Sequence, residues 1–281
     1  MKPAAFIRII RPLNAVMAGF AGVLAFVIAT GTLLPSVLII FFMVLLITAA
    51  GNVINDYHDA AIDAINRPDR PIPSGEISQR AALVYSVLLF LIGNAIGIAY
   101  APLPLIIIAA LNSVLLWGYA SYLKVMPLLG NLAVSYLSAS IFLFGGALEG
   151  WEGVIANLPV AGACFGVILS RELIKDAEDM QGDKAHGART LPILYGLKST
   201  VLVAVASAIF GVIISLLLYF RWGNYYLVGI IPVDIIIFYG AFRAFWCSTS
   251  EEIKESHSSL FIKVGMFASL LIFLISAVLF R

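Results

Sequence analysis

An all-α membrane bundle is what this sequence predicts, and three observations carry that reading. Of its 281 residues, 62% are hydrophobic and only 12% charged, with a mean hydropathy of +1.02, the composition of a chain whose outer surface meets lipid. Apolar runs of about 20 residues, the length that crosses a bilayer as a helix, recur along the whole chain. The cations gather at alternate ends of those runs: Lys2, Arg8, Arg11, Arg67, Arg70, Arg80, Lys124, Arg171, Lys175, Lys184, Arg189, Lys198, Arg243, Lys254 and Lys263 fall on one side, with only Arg221 and Arg281 on the other.

Taken in order, the spans are 11–31, 34–54, 79–99, 103–123, 127–147, 154–174, 198–219, 224–246 and 259–280. The first follows a short basic stretch, lacks a small-residue cleavage site and is succeeded at once by the second, so it reads as a mature helix, not a signal peptide. Nine spans and the cation bias agree on one topology. The N-terminus and the even-to-odd connections are expected on the cytoplasmic side and the C-terminus outside, in a multi-pass protein of the cell membrane. Little remains for a soluble domain, and residues 1–281 are expected to form a single integral-membrane domain. The long polar connections, 55–78, 175–197 and 248–258, all fall on the basic side, whereas the opposite loops near 149–153 and 221–226 are short. Function is therefore expected at the basic, cytoplasmic face.

Two of those connections carry carboxylates at the same uneven spacing, D-x2-D-x3-D: Asp56, Asp59 and Asp63, then Asp176, Asp179 and Asp183. The two stretches are far apart in the chain and begin alike, which suggests two related, aspartate-bearing helical halves. On a helix, offsets of 0, 3 and 7 fall within roughly a 60° arc, so each triplet can present one acidic face. Asn55 extends the first face and Glu172 the second. Like charges that close repel unless something positive lies between them. Hard oxygen ligands favour magnesium, which keeps one or two carboxylates and fills the rest of its shell with water and phosphate oxygens.

The cations Arg67, Arg70, Lys124, Lys184 and Arg189 lie at the same face, and free basic groups beside acid-held metal suit a phosphorylated substrate. Pro68, Pro71 and Pro73 stiffen the first loop, and Gly187 and Pro192 break the helix after the second triplet. Behind this face lies a bundle rich in Phe, Tyr, Leu and Ile, so a ligand with a diphosphate head and a long apolar tail fits both environments. If diphosphate leaves an allylic carbon there, the cation left behind needs shelter from water and aromatic faces.

Other polar residues have plainer readings. Cys164 and Cys247 have no second Cys or His at ligand spacing and read as small packing residues. Tyr119 and Tyr122 fit either an interfacial aromatic belt or the cavity; Asn14 and Asn131 fit either the cavity or a bond between helices. Asp234 lies toward the outer half and reads as a structural partner or an outer-end cap. His58 points away from the acidic arc and is not expected to bind metal, and the sequence assigns His186 no role. No basic cluster of nucleic-acid type and no heptad repeat is present, so neither a nucleic acid nor an obligate protein partner is expected. Paired acidic motifs also occur in cation transporters, but there they belong mid-membrane, and here both lie at helix ends.

The motifs N-x3-D-x3-D (Asn55, Asp59, Asp63), R-P-x-R-P-I-P-S-G (67–75), Y-x3-L-K (Tyr119, Lys124) with P-L-L-G-N (127–131), and K-D-x2-D-x2-G-D with G-A-x-T-L-P resemble the UbiA-type intramembrane prenyltransferase superfamily. The similarity runs from about Arg8 to Pro192, and the last third matches only as apolar helices. The resemblance implies a nine-helix bundle with a central cavity open sideways to lipid. It implies magnesium held by Asp59, Asp63, Asp179 and Asp183, supported by Asn55, Asp56 and Asp176, and a prenyl diphosphate held by Arg67, Arg70 and Lys124. Within the superfamily the wording is most similar to the branch that transfers a geranylgeranyl group to geranylgeranylglyceryl phosphate in ether-lipid synthesis. The alternative acceptors are an aromatic quinone precursor or a tetrapyrrole. An acceptor phosphate needs cations of its own, for which Arg8, Arg11, Lys184, Arg189 and Lys254 all remain open.

Overall fold

The computed structural model describes residues 2–185 and 187–280, so His186 and Arg281 lie outside the described residues. All regular structure among the described residues is helical. A short helix, α1 (Pro3–Ile9), precedes α2 (Pro12–Thr30) and α3 (Val37–His58); α4 (Ala60–Asn66) is short; α5 (Gln79–Tyr100), α6 (Leu103–Ser121), α7 (Leu129–Ala147) and α8 (Gly150–Ala185) follow. The last third comprises α9 (Leu191–Tyr195), α10 (Leu197–Leu217), α11 (Tyr219–Arg243), α12 (Ser250–Glu255) and α13 (Ser258–Leu279). Among the described residues nine helices are long and apolar enough to cross a membrane, and they coincide with the nine spans the hydropathy predicts.

The termini of these helices follow local chemistry. Proline stands in the first turn of α1, α2, α6 and α9, where its missing N–H costs nothing. Ser78 caps α5 by accepting the N–H of Ala81. Gly31 ends α2 in the left-handed region, φ 64°, with its N–H on the Val27 carbonyl.

Two helices depart from the expected spans. Regular α3 stops at His58, and the chain turns at Asp59 before α4 begins. In contrast, α8 runs for 36 residues. At 1.5 Å per residue it is about 54 Å long, against about 30 Å for the hydrocarbon core. The second aspartate triplet therefore stands on a helical extension beyond the apolar span, as its spacing predicts, and Gly187 (φ 74°), the break the sequence marks, is where the chain turns away.

Packing divides the apolar interior in two. One cluster joins α2, α3, α5 and α6 around Phe26, Met43 and Leu105; the other joins α8, α10, α11 and α13 around Leu173, Trp222, Tyr226 and Phe273. Helices α2 and α7 contribute to both and form the seam. Lipid tails are as apolar as leucine, so close packing and buried polar bonds hold such helices together. At the seam, a Cβ on Gly145 would lie 2.3 Å from the Ala25 carbonyl carbon, so α7 meets the α2 backbone directly. Nearby, Asn157 donates to the Ala25 and Phe142 carbonyls at 3.2 and 2.9 Å. Arg221, at the end opposite the aspartates, donates to the carbonyls of Ile28, Ala29 and Ala156 at 2.7–2.9 Å. There it completes the carbonyls that end α2. Asp234 is buried between α10 and α11 and accepts the Ser215 hydroxyl at 2.6 Å, the structural role its position predicts.

A side chain at the seam cannot be absorbed. Gly145→Val is expected to separate α7 from α2 and cost about 1–3 kcal/mol or more, read as a lower Tm of the detergent-solubilised protein; an unchanged Tm would mean that the seam is slack.

Candidate functional site

The first triplet sits where α3 gives way to α4. Asp59 has φ −85° and ψ 0°, enough to interrupt the helix, yet the i to i−4 bonds persist. Asp59 N–H reaches the Asn55 carbonyl at 2.9 Å, Asp63 N–H the Asp59 carbonyl at 2.8 Å, and Arg67 N–H the Asp63 carbonyl at 2.8 Å. The side chains nevertheless divide into two sets. Asp56 and Asp63, almost two turns apart and both buried, share Arg70, whose Nη1 lies 3.2 and 2.5 Å from them. Arg11 adds a second bond to Asp56 at 2.6 Å. Asn55 and Asp59 face the other way, onto Lys124. Its ammonium lies 3.3 Å from Asn55 Oδ1 and donates to Asp59 Oδ1, while Asn55 Nδ2 donates to Asp59 Oδ2 at 2.9 Å. The single acidic face that the spacing predicts is thus two faces, each with its own cation. Burying a carboxylate without a partner costs several kcal/mol, and these pairings meet that cost.

The supporting loop is ordered by its prolines and by backbone bonds. Ser74 N–H reaches the Arg70 carbonyl at 2.9 Å, and Gly75 turns the chain at φ 75°. Lys2 and Arg8 grip Glu76 at the loop's end, which straps α1 across it. Arg11 holds φ 50° just before Pro12. A non-glycine residue in that region is strained and persists where its surroundings fix it; the Asp56 bond is such a fixture.

On the α8 extension, Asp176 accepts Asn131 Nδ2 from α7 at 2.9 Å, Glu172 pairs with Arg171 at 2.6 Å, and Asp179, half exposed, pairs with Lys175 at 3.5 Å. Asp183 is partly exposed in the last turn. Glu178 points elsewhere and accepts the N–H and hydroxyl of Ser259 at 3.3 and 2.8 Å, fastening α13 to α8. Among the described residues no three His, Cys, Asp or Glu side chains converge closely enough to hold a metal ion.

Between the two acidic helix ends lies a cavity of about 580 Å³. Tyr119, Lys124, Asn131, Glu172, Asp176 and Arg189 give it a polar wall. One helical turn deeper along the same two helices, α6 and α7, a second chamber of about 410 Å³ opens among Ala18, Val44, Leu116, Leu137, Ile141 and Phe144. A polar vestibule thus stands over an apolar chamber. Lys124 joins the vestibule to the first triplet, touching Asn55 and Asp59 on one side and lining the cavity on the other.

Of the residues the sequence singles out, Asn55, Asp59 and Lys124 meet directly, and Tyr119, Lys124, Asp176 and Arg189 surround one cavity. Asp56, Asp63 and Arg70 form a separate cluster beside it. Arg67 is exposed at the end of α4 and Lys184 is exposed on α8; neither lines the cavity, nor does Asp179. Exposed His58 packs its ring on Tyr57, away from the acids. Asn131 resolves from two readings into both at once, bonding α8 and lining the cavity. Thr190, whose buried hydroxyl oxygen has no partner, is a cavity residue that its spacing does not reveal.

Residues 15–273 match the UbiA prenyltransferase family. A protein of Methanospirillum hungatei named digeranylgeranylglyceryl phosphate synthase is 61% identical over 279 residues, covering 99% of this chain and 100% of the relative. One of the same name from Methanoregula boonei is 51% identical, covering 97% and 98%. A solved structure of digeranylgeranylglyceryl phosphate synthase superposes with a TM-score of 0.91 at 33% identity, covering 98% of each chain. The structure of a UbiA homologue from Archaeoglobus fulgidus bound to GPP and Mg2+ shares the fold, with a TM-score of 0.69 at 16% identity, covering 94% of this chain and 99% of that one.

Arg70 is the cation on which the buried acids depend most. Arg70→Met leaves Asp56 and Asp63 without their shared guanidinium and is expected to cost about 3–5 kcal/mol, measured as a fall in Tm. Adding Asp63→Asn to that variant is expected to recover part of the loss; a Tm that ignores both changes would show that the pairs carry no stability.

Proposed function

The chain belongs to the UbiA prenyltransferase family, and on that premise we propose that it transfers a geranylgeranyl group from its diphosphate to geranylgeranylglyceryl phosphate, with magnesium, in ether-lipid synthesis. The observation that carries this reading is the stacking of the polar vestibule on the apolar chamber along α6 and α7. A diphosphate fits the first and a prenyl tail the second, with the reacting carbon at the boundary. Val44, in the chamber wall, precedes Asn55 on α3 by a distance of about 16 Å along the helix, room for a long prenyl chain. The relatives' shared name supports the acceptor.

In this reaction the bond between the allylic carbon and its diphosphate oxygen breaks, with the electron pair leaving on diphosphate. The acceptor hydroxyl oxygen bonds to that carbon, and its proton passes to solvent. The donor set at both helix ends, carboxylates plus the Asn55 amide, is all oxygen and suits magnesium, which takes few protein ligands and completes its shell with phosphate. We read Asp59, Asp63, Asp179 and Asp183 as its holders, supported by Asn55, Asp56 and Asp176. A magnesium ion held by these residues would supply positive charge to offset that building on the leaving oxygen. Lys124 is the residue best set to follow that charge: its flexible ammonium moves from Asn55 and Asp59 onto a diphosphate oxygen within the same cavity. Arg70 and Arg67 steady the diphosphate from the rigid loop, with Lys184 on the facing helix. Tyr119 offers an aromatic wall to the allylic cation, and the lipid-embedded chamber keeps water from it. The whole chain, 1–281, acts as one membrane domain in the cell membrane, with its basic end toward the cytoplasm.

Turnover is expected to vanish with EDTA and return with magnesium. Asp59→Asn and Asp179→Asn are each expected to lower kcat by more than about 100-fold, roughly 3 kcal/mol of barrier; near-normal rates would remove these carboxylates from the reaction. In an acceptor screen, diphosphate release from geranylgeranyl diphosphate is expected with geranylgeranylglyceryl phosphate, and equal turnover with 4-hydroxybenzoate would overturn the acceptor assignment.

A further inference from the structure

Two phosphate-bearing lipids must meet at this site if it joins a prenyl diphosphate to a glyceryl phosphate, and the cations present must be shared between them. Most are already engaged. Arg8 is held by Glu76, Arg11 by Asp56, Arg70 by Asp56 and Asp63, and Lys124 by Asp59. Lys184 and Lys254 are exposed and line no part of the vestibule. Arg189 is also exposed, but it lines the vestibule, and among the described residues its guanidinium has no ion pair. Its neighbour Thr190 lines the same wall and carries a buried hydroxyl without a hydrogen-bond partner. An unmatched buried hydroxyl is costly, and the guanidinium of the adjacent residue offers a further donor to a phosphate monoester in the same cavity.

We infer that Arg189 and Thr190 form the acceptor-phosphate subsite, distinct from the Asn55, Asp59 and Lys124 side where the diphosphate is held. The inference rests on the prenyl-transfer reading above and names the residues that make the enzyme prefer a phosphorylated acceptor. The chemistry agrees with the layout. In a glyceryl phosphate bearing one prenyl ether at the far carbon, the free hydroxyl is on the carbon next to the phosphorylated one. A phosphate fixed on the α8 side of the vestibule therefore leaves the hydroxyl within the same cavity as the allylic carbon. Of the acids on that wall, Glu172 is paired with Arg171, and Asp176 is turned onto the Asn131 amide.

The test is initial-rate kinetics of the full chain with two acceptors, geranylgeranylglyceryl phosphate and the same lipid lacking the phosphate. Arg189→Gln is expected to raise KM for the phosphorylated acceptor by roughly 10- to 100-fold and to abolish the preference over the phosphate-free lipid, while KM for geranylgeranyl diphosphate stays within about twofold of wild type. Arg189→Lys is expected to restore part of the preference, and Thr190→Val to raise the acceptor KM alone. The unchanged donor KM also serves as the control that the variants fold. A rise in donor KM with acceptor preference intact would put Arg189 among the diphosphate residues and overturn the inference alone. A wild-type protein that uses neither acceptor would overturn the prenyl-transfer reading, and the subsite with it.

Discussion

The structure turns on the compensation of carboxylates at the edge of a membrane. Acids packed at helix ends, backed by hydrocarbon, cannot rely on water to screen them. Here two of the three in the first triplet are buried, and a single arginine from a proline-stiffened loop answers both. The same need recurs around it: Lys2 and Arg8 strap α1 to Glu76 at the loop's end, Arg11 holds a left-handed backbone beside Asp56, and Lys124 reaches back onto Asp59 from a turn between α6 and α7. The fold around the acids is largely the set of positions from which cations can reach them.

The bilayer made most of the architecture legible. Its thickness dictates span length and its surface charge preference dictates which ends carry lysine and arginine, so nine helices and a shared basic end could be read from residue type alone. The division of the first triplet could not. Spacing says where Asp56, Asp59 and Asp63 leave the backbone, but the break at Asp59 and the choice between Arg70 and Lys124 depend on groups 7 to 65 positions away. The same limit hid Thr190, which is unremarkable until the cavity is seen around it. The extension of α8 past its apolar span was legible instead from the helical spacing of its acids and from Gly187, which ends it. Hydropathy ends a span where charge begins, whereas a helix rich in Glu, Asp, Lys and Ala continues without difficulty in water.

Within the lipid, specificity comes from contact and not from greasiness. Leucines that face outward would be equally content against a neighbouring helix or an acyl chain. What distinguishes the correct neighbour is backbone meeting backbone at Gly145, and polar groups such as Asn157 and Arg221 that donate to carbonyls on other helices. The seam formed by α2 and α7 is built this way, and the apolar chamber opens beside it.

The length of α8 has a consequence for the membrane around the protein. A rod of about 54 Å in a core of about 30 Å acts as a depth gauge: it sets the height above the hydrocarbon at which its acids stand. Lipid head groups float at a level fixed by the surrounding bilayer, not by the protein. A thicker bilayer would lift those head groups toward the tip of the rod and a thinner one would drop them below the acids. The acids on α8 thus keep a height set by the protein, while the head groups around them keep the height of the bilayer.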